Sequence, residues 1–343
     1  MLTGVDMKEF YVGLDLGRKW TYATMIDGEK RIIKQMKLPC DERAMDGFFG
    51  AIPKESLSAA VEACGIWYGL YDYLLGRCNV VKVVNPQQTK MDIGGKKTDK
   101  LDSKRLAELL KADMVHESYV PPKAGRNYRE KVRHRQSMVS RGTEFKNVIH
   151  AILRRENIKP PVGITDIFTK KGIIWLKQLG RTEILSYLEL IDAIELQVNR
   201  SEAAIPNNIY KKEIELLHTM PGVGEVTAPV IMSEIVDIKR FGSPKALCKY
   251  AGLVPKVHQS GDCDRHGGLV KQSSKILRTA LIQSAHGAIK KKDSRFKILF
   301  VRLLKRKKYN TAITIIAHKM LYIMWFMLTN CEEFHDGGIR VGE

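Results

Sequence analysis

Along residues 10–38 apolar and polar side chains alternate in the runs Tyr11-Val12-Gly13-Leu14, Tyr22-Ala23-Thr24-Met25-Ile26 and Ile32-Ile33-Lys34-Gln35-Met36, with breaks at Asp15-Leu16-Gly17 and Asp27-Gly28. A period of two suits a pleated strand with one buried face, and Asp- and Gly-bearing breaks suit tight turns. The pattern therefore predicts three short strands joined as a meander. Downstream, helical patterns at 41–51, 67–75 and 100–113 alternate with apolar runs at 57–64 and 80–84, and Pro121-Pro122 closes the unit. A meander followed by strands alternating with helices is an α/β order.

Beyond the prolines, Tyr128, Val132, Met138, Phe145, Val148 and Ile152 recur mostly at steps of three and four residues or their multiples, and Ile184, Leu188, Ile191 and Ile194 repeat the pattern. Two long helices with apolar stripes follow, arranged as a coiled-coil hairpin, although Gly142 weakens the first as a poor helix former. From residue 214 the chain reads as mostly helical, apart from the polar, Gly-rich stretch 257–268. Pro221-Gly222-Val223-Gly224 lies between two helical patterns and resembles a helix-hairpin-helix turn. Glycines there admit either a phosphate at the backbone amides or a close helix neighbour. The apolar stretch 311–328 carries His318 and Lys319 at its middle, which favours a buried helix over a membrane span. With 343 residues, 44% of them hydrophobic, the chain can bury more than one core. The expected division is an α/β domain at 1–118, a helical coiled-coil connector at 119–213 and a mostly α-helical domain at 214–343.

Lys and Arg number 57 against 38 Asp and Glu, a formal charge of +19. The excess is local: residues 123–155 hold ten basic and two acidic side chains, and residues 290–308 hold ten and one. Clustered positive charge favours nucleic acid over small acidic substrates, although solvated basic helix faces look the same in sequence. Arg129, Arg133, Arg135 and Arg141 in the first cluster are candidate backbone contacts. The six cysteines are scattered without a CxxC pair, and MLTGVDMKEF has no apolar signal segment. A cytoplasmic setting, away from the membrane, is expected.

The acids form the first chemical pattern. Asp15 ends an apolar strand in YVGLDLG, and Glu62 sits in the apolar strand AAVEAC. An ionised carboxylate in such surroundings needs compensation. Asp99 and Asp102 are three residues apart at a helix start, so both can project from one face. Four carboxylates converging from three elements repel one another without cations and form a site for Mg²⁺ with them; two such ions serve phosphodiester chemistry. Singly, Asp99 also suits a helix cap and Asp15 a turn. Jointly, strand Asp, strand Glu and a late helical Asp pair follow the element order of an RNase H-like nuclease.

The second pattern is Ser260-Gly261 in a polar loop, with Arg265, Lys271 and Arg278 close in sequence. A serine becomes a nucleophile when its proton is removed and the developing charge is stabilised, and nearby cations suit the second need. Ser-Gly also suits an ordinary turn. Zinc is not expected: His258, Cys263 and His266 lack a fourth ligand at conventional spacing.

Together these residues resemble the DEDD transposases of insertion-sequence family one-hundred-and-ten (IS110), related to the Piv/MooV pilin-gene invertases. The likeness runs nearly end to end, through VGLDLG, AVEACG, KTDKLDSKRLAELL, RQSMVSRGTEFKNVIHAIL, MPGVGEVTAPVIMSEI and FGSPKALCKYAGLVP to the SG…GG…K…LR pattern of residues 260–278. Where many relatives carry Ser-Ser-Gly, this chain has Gln259-Ser260-Gly261, and Ser273-Ser274 replace a common Arg-Gly. The resemblance implies a RuvC-like domain with Asp15, Glu62, Asp99 and Asp102 as metal ligands, a coiled-coil connector, and a transposase domain with Ser260 as nucleophile. It further implies donor and target DNA as substrates, a structured noncoding bridge RNA as guide, and homodimers assembling to tetramers. In such assemblies the acids of one protomer meet the serine of another. The alternatives are a RuvC-like Mg²⁺-dependent endonuclease, a site-specific DNA invertase and, furthest, a noncatalytic nucleic-acid-binding protein.

Overall fold

The computed structural model describes residues 9–63, 67–85, 98–260, 263–269, 273–292 and 294–336, with backbone alone for 256–260 and 263–269. Two compact units divide the chain, Met1–Val120 and Pro121–Glu343.

The first unit is built on a five-stranded sheet of order β3-β2-β1-β4-β5. β1 (Phe10–Leu16), β2 (Trp20–Asp27) and β3 (Ile32–Pro39) form the antiparallel meander that the alternation predicts, while β4 (Leu57–Glu62) and β5 (Val80–Val84) continue it in parallel beyond β1. α1 (Glu42–Phe49) and α2 (Trp67–Arg77) cover one face, where Met45, Phe48, Phe49 and Leu74 pack on Val12, Leu14, Ala23, Met25, Leu38 and Val61. α3 (Asp99–Lys111) covers the other, with Leu106 and Leu110 on Ala60 and Val84. The strand-borne part of the expectation thus holds to within three residues at each end.

In the second unit α4 (Lys123–Arg155) packs along α6 (Thr182–Ala203) in antiparallel fashion: Arg135 pairs with Glu202, and the Phe145 ring lies tilted against Tyr187 with centroids 5.7 Å apart. The connection between them is no short loop. It carries α5 (Lys170–Gln178), whose Leu176 joins Ile149, Leu153, Ile184, Leu188 and Ile191 in a small distal core. Gly142, the weak point of the sequence pattern, lies where the two helices touch, and a Cβ there would stand 3.4 Å from Ile194 Cγ2. That is ordinary van der Waals contact, so the helix crossing leaves room for a small side chain at this position.

The first turns of α4 belong to a larger core, since Tyr128 and Val132 pack with residues from 217 to 328. That core is laid down by α7 (Lys211–His218), α8 (Thr227–Ile235), α9 (Pro244–Tyr250), α10 (Lys275–Ala288), α11 (Arg295–Leu304) and α12 (Tyr309–Asn330). α12 contains the stretch long and apolar enough to cross a membrane. Its Ile313, Ile316, Met320, Leu321, Met324 and Met327 are all buried in the core, in keeping with the buried-helix expectation. Between α9 and α10, β6 (Pro255–Ser260) and β7 (Cys263–Leu269) pair antiparallel. The polar composition reads as loop, but the backbone is a hairpin.

Candidate active site and nucleic-acid interface

The acids of the first unit are positioned by strand register. Asp15 is the penultimate residue of β1 and Glu62 the last of β4, and the parallel pairs Gly13↔Ala60 and Leu14↔Val61 set the two acids side by side one step further on. Gly13 fixes which face they share. A Cβ on Gly13 would stand 1.9 Å from the Ser103 carbonyl oxygen and 2.6 Å from the Ala107 amide, so α3 lies directly on this glycine. Side chains alternate by two along a strand, which puts Asp15 and Glu62 on the α3 side. Thr24 and Ser103 share a hydrogen bond of 2.7 Å, and Gln35 Nε2 donates to Thr24 Oγ1 at 2.9 Å and to the Lys100 carbonyl at 3.3 Å.

These ties orient the helix. Its end is held at the β2–β3 turn, where Lys111 Nζ donates to the Gly28 carbonyl, so its first turn points toward the edge that carries Asp15 and Glu62. Asp99 and Asp102 stand in that first turn, and Thr98 Oγ1 caps it by accepting from the Leu101 amide at 3.2 Å. Acidic groups there are favoured by the helix dipole. Arg105 faces Asp102 at 3.7 Å. Asp15, Glu62 and Asp102 are half-buried and Asp99 is exposed. The fold therefore brings all four acids to one edge of one sheet face. Oxygen donors of this kind suit a hard divalent cation. Among the described residues, no three His, Cys, Asp or Glu side chains converge closely enough to hold an ion.

Ser260 is the last residue of β6 and pairs with Cys263, the first of β7, so it stands at the tip of the hairpin. Arg265 lies on β7, and only its backbone is described; Lys271 falls outside the described residues, as does Cys64. The side chains of His258, Cys263 and His266 likewise lie outside the description. The root of the hairpin is tied: the Ser274 amide donates to the Tyr250 carbonyl at 2.9 Å, and Arg278 reaches the Gly252 carbonyl at 3.5 Å.

Three arginines singled out by charge are engaged within the protein. Glu234 on α8 is fully buried, 0% exposed, and Arg133 binds both its carboxylate oxygens at 2.8 and 3.0 Å. Ser274, the cap of α10, donates to the same carboxylate at 2.9 Å. Arg129 and Arg240 take the main-chain carbonyls of Ser233, Glu234 and Ile235 at the end of α8, at 2.8–3.2 Å. Burial alone would push the Glu234 carboxyl up; the Arg133 hydrogen bonds and charge, then Arg129 and Ser274, reverse this and hold it below the usual glutamate value. Arg135 bonds Glu202 at 2.8 Å, whereas Arg141 is exposed. No spacing rule links Glu234 to residues a hundred positions away. The only hint in sequence is a charge inside the apolar run TAPVIMSEI.

The turn before α8 also resolves. Gly222 has φ +85°, and a Cβ there would stand 2.1 Å from the Ser284 carbonyl and 2.4 Å from the Ala288 amide. This glycine serves the packing of α10 against the turn, while Gly224 is open on its Cβ side.

Comparison with known proteins follows this division. The profile of the DEDD transposases of IS110 type, described as Transposase, matches residues 12–158, and a profile described as Transposase IS116/IS110/IS902 family matches 214–300. The first span carries the four acids and the second Ser260. The transposase for insertion sequence element IS1111A of Coxiella burnetii is 25% identical over 289 residues, covering 81% of this chain and 79% of that protein. The probable family 20 transposase of Pseudomonas aeruginosa is 24% identical over 335 residues, covering 93% and 96%. The pilin gene-inverting protein of Moraxella lacunata is 28% identical over 163 residues, covering 47% and 50%. Fold and matches first define a class, enzymes that break and rejoin DNA. Within that class, the chain belongs to the IS110/IS116 family of transposases.

Proposed function

We propose that this transposase is an RNA-guided recombinase of its own insertion sequence, in which Ser260 takes up a DNA phosphate while Asp15, Glu62, Asp99 and Asp102 hold Mg²⁺. The observation that carries this reading is that strand register and the seating of α3 on Gly13 put the two strand-borne acids and the first turn of α3 at the same sheet edge. Three antiparallel strands followed by two parallel ones, in the order β3-β2-β1-β4-β5, support an RNase H-like, RuvC-like domain. When bound, Mg²⁺ would be held by these carboxylates and would stabilise charge on phosphodiester oxygens.

At the hairpin tip the Ser260 oxygen forms a bond to phosphorus as a deoxyribose oxygen departs with a proton. The phosphoserine ester keeps the bond energy, so a second strand's hydroxyl can restore a diester and free the serine without ATP. Arg265, Lys271 and Arg278, close in sequence to Ser260, would supply positive charge to that step. The +19 balance and exposed Arg141 support binding of both RNA and DNA, whereas Arg129, Arg133 and Arg135 act by shaping the second unit. Assembly as dimers and tetramers would let acids and serine meet from different protomers. Inversion rather than transposition is the second reading, favoured by the match to the pilin gene-inverting protein.

The test is incubation of the protein with Mg²⁺, RNA transcribed from the flank of the element, and labelled donor and target DNA. A denaturant-resistant protein–DNA adduct that maps to Ser260 and is lost in Ser260→Ala is expected. Cleavage with no adduct replaces the reading by a metal-dependent endonuclease.

A further inference from the structure

The row of side chains that contains the acids does not end with them. Glu62 and Asp15 stand side by side on β4 and β1; Asp15 pairs with Tyr22 on β2, and Tyr22 pairs with Lys37 on β3. Residues opposite one another in register face the same side, so Glu62, Asp15, Tyr22 and Lys37 line one strip across four strands, beyond the first turn of α3. Trp20, two residues before Tyr22, faces the same way at the very start of β2. Trp20 is 49% exposed, and Lys37 Nζ lies 5.6 Å from the centroid of its ring. The adjoining turn, closed by the Gly17 amide on the Trp20 carbonyl at 2.9 Å, presents Arg18 and Lys19 to solvent.

A single exposed aromatic side chain is ordinary on a protein surface. Here it is flanked by three cations and continues a strip of acids. We propose that Trp20, Tyr22 and Lys37 form a platform for an unpaired nucleotide of the DNA strand to be cut, a role that rests on the reading of the acids as the cutting site. The base stacks on the Trp20 indole, and Lys37, Lys19 and Arg18 meet the flanking phosphates. A paired base inside a duplex has both faces covered and cannot take this place. Trp20 is one strand spacing from β1 and two residues along from Tyr22, the partner of Asp15, a diagonal of about 7–8 Å or roughly two nucleotides at ~3.4 Å each. A base on Trp20 thus sets a nearby diester at Asp15 and Glu62.

The experiment measures binding of labelled single-stranded DNA, single-stranded RNA and duplex DNA in EDTA, for the full chain and its Trp20→Ala and Trp20→Phe variants. Expected is a loss of about tenfold in single-stranded DNA affinity for Trp20→Ala, recovery of most of it in Trp20→Phe, and duplex affinity within about twofold. Equal losses on single strand and duplex, no loss at all, or no recovery in Trp20→Phe would overturn the platform. A loss confined to RNA overturns the assignment to the cut strand. Asp15→Asn, assayed with Mg²⁺, separates the two ideas: if it still cuts, the reading of the acids falls, while the single-strand result stands or falls by itself.

Discussion

At the scale of single residues, the tightest places are those where a missing side chain admits a backbone. Gly13→Ala would press a methyl group onto the Ser103 carbonyl, and Gly222→Ala would do the same at Ser284 from a positive φ. Each is expected to destabilise its unit by about 2 kcal/mol, read as a lowered urea midpoint. Gly13→Ala should also reduce DNA cutting, because it pushes α3 and its acids off the sheet. Glu234 poses a different problem. Arg133→Ala strands a carboxylate that is 0% exposed, and should cost on the order of 3 kcal/mol, the low end for breaking a buried pair because the Arg133 head is itself half exposed. The folded-state carboxyl titrates below its unfolded value, so its share of stability is complete above about pH 4.3 and drains away as pH falls through the lowered value. Urea titrations between about pH 6 and pH 3 should show this acid-side slope in the native chain and its loss in Glu234→Gln.

At the scale of elements, Ser274 joins two tasks: its Oγ caps α10 toward the Leu277 amide and donates to Glu234, beside the root of the hairpin that bears Ser260. Ser274→Ala is expected to cost about 1 kcal/mol and to speed amide exchange in β6 and β7, with Ser274→Thr close to the native chain. How far such elements could be read from the sequence depended on what encodes them. β1 to β3 were legible because alternation is a local signal with one burial solution. The α4–α6 pair was legible as two apolar stripes, but α5 between them was not, since a short helix shows few turns of periodicity. The β6–β7 hairpin is nearly all polar, so no buried face announced it. The acids were visible as residues; that Asp15 and Glu62 are neighbours came only from the parallel register. The roles of Arg129 and Arg133 were hidden, because a run of charge states a supply of cations and never their partners.

At the scale of the molecule, the two units carry separate cores, and a fragment of residues 121–343 is expected to melt cooperatively by circular dichroism without the first unit. The positive balance of the whole chain predicts a steep dependence of nucleic-acid binding on salt, with log K falling by about 0.9 per phosphate contact for each decade on duplex DNA; a flat response would argue against backbone binding. The order of synthesis adds a constraint of another kind. α12 fills the core of the second unit, yet it follows every other described helix in the chain. On the ribosome, the first unit can close while the second waits with its apolar surfaces open until α12 emerges. A chain that stops short of residue 309 would display those surfaces to proteases and chaperones, so an interrupted copy of the gene yields a product that is cleared rather than one that lingers on DNA.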